Sequence, residues 1–524
     1  MGETQKNPAK KTKKGVFQSF LDWVERVGNK MPHPAMIFVV LSIAIIIISH
    51  ICAKAGVNVT IDLVDKVNGG INRTNVKAVS LLTPEGIRYM FESAEKNFTG
   101  FAPLGTVLVA MLGVGLAEET GFIQAILRRS VMGAPKKLIT PIIVFAGVMS
   151  NIASDAGYVV LIPLGAMIFA SFGRHPLAGI AAAFAGVSGG FSANLLIGTT
   201  DPLLGGITTE AAKLVDPSYV VTPTANYYFM AASTFLITII GTFVTDKIVE
   251  PRLGKYEGVQ VDLGTGDLNA EEKKALKASR IAFLVFILFI AALIGPQNGV
   301  LRHPETHKIL GKTPFMNALV PIIAIFFAVP GIAYGISIGK IKKSKDVANA
   351  MGKAMSGMGG YLVLVFFAAQ FVAYFNHTNL GTILSYNGGK FLQSTGFVGI
   401  PLIVSFVLVA AFLNLFMGSA SAKWAIMAPI FVPMFMAIGF SPEFTQAAYR
   451  IGDSCTNIIT PLMSYFALIV SFAEQYDEDA GIGTLISTML PYAILFLVGW
   501  TILLIFWYKF NIPIGVSAPI HLIR

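Results

Sequence analysis

One segment near the C-terminal end of the chain places polar and charged residues in an otherwise apolar stretch. Its sequence is YRIGDSCTNIITPL at 449–462, and it contains Arg450, Asp453, Asn457 and Pro461. A charge at the depth of a bilayer costs about 2.5–3.5 kcal/mol on insertion scales, so such residues normally face a polar interior. The segment therefore predicts a pathway for a solute or an ion through a membrane protein.

The spacing of these four residues suggests how they could act together. At about 100° per residue they lie within about 60° of one stripe of a helix, so we expect them to face a common cavity. Arg450 and Asp453 are three residues apart, a spacing at which side chains meet, and pairing lowers the cost of burying either charge. A guanidinium offers a planar fork for a carboxylate. The predicted substrate is an organic anion; the alternative is a structural ion pair that fixes the helix.

A second acidic residue, Asp201, lies in the segment GTTDP at 198–202. No basic residue is close to it in the sequence, so we expect it to be free to take up a proton when it is buried. The alternative is a cap on the helix that follows. Asp155, in the segment SNIASDAG at 150–157, is a weaker candidate for the same role. The sequence thus predicts a proton carrier at Asp201.

Two regions, 138–172 and 397–440, each consist of an apolar arm, a small polar tip and a second apolar arm. A tip with unpaired backbone groups is not stable in lipid, so each region is predicted to be a re-entrant hairpin buried in protein. Their small residues could instead serve close packing. The neutral polar residues at the two tips are Ser150, Asn151 and Ser154 in the first and Ser419 and Ser421 in the second.

The second tip, GSASAKW at 418–424, also carries a large aromatic residue and a cation. Trp424 is one helical turn after Ser421 and could stack on an aromatic ligand, although packing in the protein core is the alternative. Lys423 could either extend outward to water or attract an anion. We therefore predict that this tip contributes to substrate binding.

The coupling ion is left open between a proton and sodium. A proton would use Asp201, whereas sodium prefers hard oxygen ligands. No organic cofactor and no transition-metal site are expected. The oxygens that could hold sodium belong to Asn151, Ser154, Asn194 and Asn457.

The composition identifies the kind of protein that positions these residues. Of 524 residues, 54% are hydrophobic and 13% are charged, against about 25% charged in a soluble domain. Cys52 and Cys455 lie in apolar segments, which excludes a disulfide framework. The net charge of +10 comes from basic residues between apolar segments, where they set membrane topology, so nucleic acid is not an expected partner. The expected fold is an all-α polytopic membrane protein.

The apolar stretches predict nine spans of about 20 residues in addition to the two hairpins. With the basic N-terminus (1–34) in the cytoplasm, every strongly basic connection falls on the cytoplasmic side. We divide the rest into a first half (35–249), a linker (250–279), a second half (280–510) and a tail (511–524). The predicted spans are 35–55, 101–118, 177–200, 225–249, 280–296, 316–340, 358–375, 443–472 and 484–508.

The two halves carry matching interruptions. Tyr158 precedes Pro163 by five residues in the first hairpin, as Trp424 precedes Pro429 in the second. Each hairpin is followed by a polar break, NLLIGTTDPL at 194–203 or NIITPL at 457–462. Such matched breaks are typical of secondary transporters with inverted repeats and broken helices. A competing pattern, GVSGG at 186–190, would suggest an intramembrane hydrolase using Ser188 and His175, but in hydrolases this motif joins a strand to a helix.

These motifs together resemble one known family. They are similar to those of the AbgT family of bacterial p-aminobenzoyl-glutamate transporters, over about residues 17–510. The segments that carry the similarity are VERVGNKMPHP before the first span, the tips SNIASDAG and SASAKW, the break GTTDPL and the span YRIGDSCTNIITPL. The alternative within the wider superfamily is a sodium-coupled dicarboxylate transporter. An aromatic residue at the second tip favours an aromatic substrate.

The resemblance implies a homodimer in the bacterial inner membrane, with nine spans and two hairpins in each subunit around a basin open to the cytoplasm. It implies transport of p-aminobenzoyl-glutamate and, in some members, proton-driven export of sulfonamide antimetabolites. Pro442 corresponds to a family residue less securely than the others. The family residues important for transport correspond to Asp201, Ser421, Trp424, Arg450, Asp453 and Pro461.

Overall fold

The computed structural model describes residues 32–64, 71–132, 135–153, 156–256, 268–310 and 313–522. Ser154 and Asp155, two of the candidate residues at the first tip, lie outside these residues, as does nearly all of the basic N-terminus. Within the described part the regular elements are helices, apart from one antiparallel two-stranded hairpin, β1 (Asn58–Val64) and β2 (Ile71–Lys77), in which Asn58 pairs with Lys77. The predicted all-α membrane fold is confirmed.

The first half of the chain begins with a long apolar helix and ends with another. Its helices are α1 (Pro34–Lys54), α2 (Pro84–Glu92), α3 (Ala94–Thr99), α4 (Ala102–Thr120), α5 (Phe122–Met132), α6 (Ile139–Ser150), α7 (Ala156–Ser171), α8 (Pro176–Phe184), α9 (Thr200–Ala212), α10 (Tyr227–Val244) and α11 (Glu250–Leu253). π-Helical turns extend α8 over Ala185–Gly189 and connect α10 to α11 over Thr245–Val249.

The second half of the chain also begins and ends with a long apolar helix. Its helices are α12 (Ala270–Ile294), α13 (Pro314–Asn317), α14 (Leu319–Ser337), α15 (Ser344–Ser356), α16 (Gly359–His377), α17 (Leu380–Ser394), α18 (Ile400–Asn414), α19 (Ala420–Ala437), α20 (Pro442–Thr456), α21 (Phe466–Glu474) and α22 (Ile482–Lys509). A 3₁₀ turn, Asn457–Ile459, follows α20.

Eight helices in the described part are long and apolar enough to cross a membrane, or nine if α5 and α6 form one bent span. Seven of the predicted spans coincide with such helices. α12 exposes large apolar side chains, as a lipid-facing helix does: Leu288 is 68% exposed, and Ile281 and Leu284 are also exposed. α12 begins at Ala270, ten residues before the predicted span, because Asn269 and Glu272 form a capping box at its N-terminus.

The other two predicted spans, 177–200 and 443–472, are broken rather than continuous. In the first half α8 and its π-turn are followed by non-helical backbone before α9 starts at Thr200. In the second half α20 and its 3₁₀ turn are followed by a bend before α21. Pro202 and Pro461 stand at the two breaks, where a missing backbone N–H costs least. The predicted matching interruptions are therefore present in both halves.

Each hairpin tip packs against the break of its own half. The arms are α6 and α7 in the first hairpin and α18 and α19 in the second. At the second tip a Cβ on Gly418 would lie 2.6 Å from the carbonyl oxygen of Leu462, so only glycine allows this approach of tip and break. The two halves meet where α9 packs against α19 and α20. This contact positions the candidate site.

Candidate functional site

A cavity of about 510 Å³ lies where the second hairpin tip meets the break of the first half. Its volume falls within the range of about 300–1,000 Å³ that is usual for small-molecule sites. Ser419 and Ser421 of the second tip line it, together with Thr199 and Thr200 at the start of α9. Helices α4, α15 and α16 form the opposite wall. Hydroxyl groups from both halves therefore face one space.

The wall opposite the tip carries charged residues that the sequence analysis did not single out. Glu118 and Glu119 at the end of α4 and Lys353 on α15 line the cavity. Lys353 Nζ lies 2.7 Å from Glu119 Oε2, and the lysine side chain is 71% exposed. The sequence signal for this wall is the pair of acidic residues that ends an apolar run, and Lys353 lies in one of the basic connections between spans.

The first of two buried ion pairs joins the halves directly. Arg450 Nη1 on α20 lies 2.7 Å from Asp201 Oδ1 on α9, and both side chains are buried. Asp201 Oδ2 accepts a hydrogen bond from the Gly198 backbone N–H at 2.7 Å, and the carboxylate stands in the first turn of α9, where the helix dipole favours negative charge. Asp201 has no basic residue near it in the sequence, and its cationic partner comes from the other half; its role as a proton carrier stays a prediction.

The second buried ion pair lies within the second half. Lys423 Nζ lies 2.6 Å from Asp453 Oδ1, with side-chain exposures of 2% and 1%. Lys423 also donates to Asn414 Oδ1 at the end of α18. Lys423 therefore neither extends outward to water nor reaches the cavity as a free cation, which corrects the prediction for this residue.

The predicted pairing of Arg450 with Asp453 is wrong. Every residue of α20 is buried, so this helix has protein on all sides and no single face is reserved for polar groups. Arg450 is directed toward α9, whereas Asp453 is directed toward α18 and α19. The spacing of three residues places the two side chains on neighbouring faces, and each then finds a partner on another helix.

Trp424 is fully buried behind the second tip. Its ring stacks on Tyr449 with centroids 4.4 Å apart, and its Nε1 donates to Thr208 Oγ1 on α9 at 2.8 Å. Thr208 in turn donates to Gln446 Oε1. The aromatic partner of Trp424 in this structure is therefore Tyr449, and stacking on a ligand would require the two rings to separate.

The first tip contains neutral polar groups. The Asn151 amide nitrogen donates to Val148 O at 3.1 Å, and the Asn194 amide nitrogen reaches the same oxygen at 3.4 Å. Asn151 Oδ1 and Ser192 Oγ are buried and have no hydrogen-bond partner within the described residues. Ser150 Oγ donates to Gly147 O. The structure thus brings Asn151 and Asn194 together and leaves oxygen atoms there unused.

The remaining candidates lie at the break of the second half. Asn457 Oδ1 accepts from Asn414 Nδ2 at 2.8 Å, so this oxygen is engaged within the second half. Pro461 follows Thr460, whose hydroxyl donates to Leu415 O beside the tip. Pro442 is the first residue of α20, where a proline is well tolerated.

The hydrolase hypothesis has no geometric support. Ser188 is fully buried in the π-turn after α8 and donates to Met463 Sδ. His175 precedes α8, and 13 residues of helical rise place it about 19 Å from Ser188. Burial lowers the pKa of His175, and its ring lies edge-on to Tyr256. Within the described residues no group of three His, Cys, Asp or Glu side chains could hold a metal ion.

Comparison with known proteins gives consistent similarities across nearly the whole chain. A family profile described as "AbgT putative transporter family" matches residues 19–522. The p-aminobenzoyl-glutamate transport protein of Escherichia coli (strain K12) is 41% identical over 493 residues, covering 94% of this chain and 95% of that protein.

Two solved structures are similar in both fold and sequence. The Neisseria gonorrhoeae MtrF structure, described as illuminating a class of antimetabolite efflux pumps, is 49% identical with a TM-score of 0.88. The match covers 95% of this chain and 100% of the MtrF chain. The Alcanivorax borkumensis YdaH transporter, described as having an unusual topology, is 44% identical with a TM-score of 0.86, covering 92% and 100%.

Proposed function

This chain belongs to the AbgT transporter family, and from that premise we propose that it is a secondary active transporter of p-aminobenzoyl-glutamate and related aromatic anions. The proposed location is the bacterial inner membrane, with a cytoplasmic N-terminus and a homodimeric assembly, as the family resemblance implies. Export of antimetabolites is part of the proposal because the MtrF structure is described in those terms.

The observation that carries the proposal is the cavity at the second hairpin tip. It joins hydroxyl groups of both halves, and Asp201, the partner of Arg450, directly follows Thr200 of its wall in the chain. Hydroxyls can donate to carboxylates, and a site at the meeting point of a hairpin tip and a broken helix is where such transporters bind their substrates.

Lys353 is the cation best placed to meet an incoming anion. Its partner Glu119 is a carboxylate, so a substrate carboxylate can replace Glu119 as the partner of the ammonium group without leaving the lysine unpaired. p-Aminobenzoyl-glutamate carries two carboxylates beside its aromatic amide. We propose that one of them contacts Lys353 and that the other reaches the hydroxyl groups of the second tip.

Either ion gradient could drive transport. The unused oxygens of Asn151 and Ser192 at the first tip are hard ligands that would suit sodium. A proton would instead use an ionisable group near the substrate. The coupling ion is therefore part of the experiment that tests the function.

The test is uptake of labelled p-aminobenzoyl-glutamate into proteoliposomes under a pH gradient or a sodium gradient imposed separately. We expect accumulation with one of the gradients and competition by aromatic glutamate conjugates but not by succinate. Lys353→Gln should raise KM several-fold without changing the maximal rate in proportion, while Lys345→Gln, an exposed residue on the same helix, should have no effect. Succinate competing as well as the aromatic anion would favour a dicarboxylate transporter.

A further inference from the structure

Lys423 is a fully buried cation surrounded by oxygen atoms. Its ammonium group donates to Asn414 Oδ1 and lies 2.6 Å from Asp453 Oδ1, while the Met417 carbonyl oxygen is 3.5 Å away. The Tyr449 ring is on another side, 5.9 Å from Nζ to its centroid. Oxygens from α18, the tip and α20 thus converge on one positive charge, as they would around a bound monovalent cation.

The first hairpin has no such charge at the corresponding place. Matching Tyr158 with Trp424 aligns Lys423 with Gly157, and a Cβ on Gly157 would already lie 2.1 Å from Ser150 Oγ. A lysine cannot fit there. The first tip instead has the unpartnered Asn151 Oδ1. The second tip therefore contains a covalently attached cation, whereas the groups of the first tip that lie within the described residues are neutral.

The two buried ion pairs differ in whether they can change charge. A guanidinium does not lose its proton in proteins, so Arg450 holds a permanent charge against Asp201. An ammonium can lose a proton. Among the described residues, the ionisable groups in contact with Lys423 are Asp453 and Tyr449, both on α20, and Cys455 on the same helix lies near Asp453. Lys423 is consequently the cation in this region that can switch between charged and neutral.

We propose that Lys423 is the residue that carries the coupling proton, and that gain or loss of this proton makes its side chain charged or neutral. This inference rests on the proposed transport function and names its proton site. The proton moves from Nζ to Asp453 Oδ1 along the 2.6 Å contact, which leaves a neutral amine and a neutral carboxylic acid. The acid then loses the proton to water, so the net charge of the pair falls from zero to minus one.

The geometry also connects this step to the substrate. Tyr449 Oη lies 3.3 Å from Asp453 Oδ1 and donates to the Ala420 carbonyl at 2.6 Å, and Ala420 lines the cavity. A substrate anion in the cavity favours the state in which Lys423 is charged, and the charged lysine favours the anion by the same factor. Protonation of Lys423 and binding of the anion are therefore coupled through Tyr449 and Ala420.

The test separates coupling from transport in proteoliposomes. Lys423→Arg keeps a positive charge that does not titrate, and Lys423→Gln removes the charge but keeps a hydrogen-bond donor for Asp453 and Asn414 in case arginine does not fit. We expect at least one of these variants to keep exchange of labelled p-aminobenzoyl-glutamate against unlabelled substrate, with at least a tenfold loss of pH-driven accumulation. Accumulation at the wild-type level in either variant would overturn the proposal, and so would loss of exchange in both, which would make Lys423 a structural residue.

A second measurement does not depend on the cargo. Trp424 is adjacent to Lys423 and stacks on Tyr449, so its fluorescence, taken as the difference from a Trp424→Phe background, should titrate with pH in the wild type and not in Lys423→Arg. Identical titrations in the two proteins would overturn the proposal. Absence of any p-aminobenzoyl-glutamate exchange in the wild type would instead reject the proposed function, and the titration would still decide the role of Lys423.

Discussion

In both halves of the chain a hairpin tip packs against a broken helix, but the polar groups of the two tips have different kinds of partner. In the first half, the amides of Asn151 and Asn194 share one backbone oxygen, and a buried amide oxygen is left over. In the second half, Asn414 joins a lysine and an aspartate. The neutral groups described at the first tip can exchange a small ion or water at low cost, whereas the ion pair at the second tip must keep its charges balanced.

The halves are also joined by polar contacts that belong to neither alone. Arg450 of the second half pairs with Asp201 of the first, and Trp424 of the second donates to Thr208 of the first. Both contacts involve α9. When one half moves against the other, these contacts must therefore either break or move together with both halves.

The largest effect is expected from Arg450→Ala, which leaves Asp201 buried without its cation. Removing one partner of a buried ion pair typically costs about 3–5 kcal/mol. We expect thermal unfolding in detergent at a much lower temperature and no transport. The charge-free double variant Arg450→Met/Asp201→Asn should recover most of the stability but no transport. A single variant as stable as the double one would show that the pair does not hold the halves together.

Features that depend on residues close together in the sequence were predictable, whereas the ion-pair partners, which depend on distant residues, were not. The hairpins and breaks were predictable because an apolar arm, a polar tip and a proline at the break are local patterns with direct consequences in lipid. The partners of Arg450 and Lys423 were not, because they lie on other helices. The i, i+3 rule applies to the surface of a helix with one polar face, and α20 is buried on every side.

The cavity wall was missed for a different reason. Glu118 and Glu119 end an apolar run, where charged residues usually mark only the end of a span. Their contribution to the cavity depends on how α15 packs against α4, which no periodicity in either helix indicates. Lys353 was likewise predicted to set topology, and its pairing with Glu119 adds a contact at the cavity.

The comparison between tips is sharpened by a matched pair of variants, Asn414→Ala and Asn151→Ala. Asn414 accepts from the buried Lys423 ammonium and donates to Asp453 O at 2.6 Å, so its loss leaves a charged group short of a partner. We expect it to cost about 2–3 kcal/mol, since unsatisfied buried groups cost about 1–3 kcal/mol and charged ones more. Asn151→Ala should cost about 1 kcal/mol, because only backbone carbonyls lose a donor. Equal losses of stability in the two variants, measured by thermal unfolding, would contradict the distinction between the ionic contacts of the second tip and the neutral contacts of Asn151.

The smallest effect concerns the second contact between the halves, and the chain provides a matched control for it. Trp424 Nε1 donates to Thr208 Oγ1 at 2.8 Å, and Trp500 Nε1 donates to Ser233 Oγ at 2.6 Å; both rings are buried. Replacing either residue by phenylalanine removes one buried hydrogen bond, so each variant should lose about 1 kcal/mol of stability.

Transport should distinguish the two tryptophan variants although stability does not. Trp424→Phe keeps a ring that can stack on Tyr449 but removes a hydrogen bond between α19 and α9, two helices that line the cavity. The Trp500 bond also joins the halves, but it connects α22 to α10, which are not among the helices that line the cavity. We therefore expect Trp424→Phe to change the rate of p-aminobenzoyl-glutamate exchange several-fold and Trp500→Phe to leave it unchanged. If both variants exchanged substrate at the wild-type rate, Trp424 would only pack the tip, and its hydrogen bond to Thr208 would not contribute to transport.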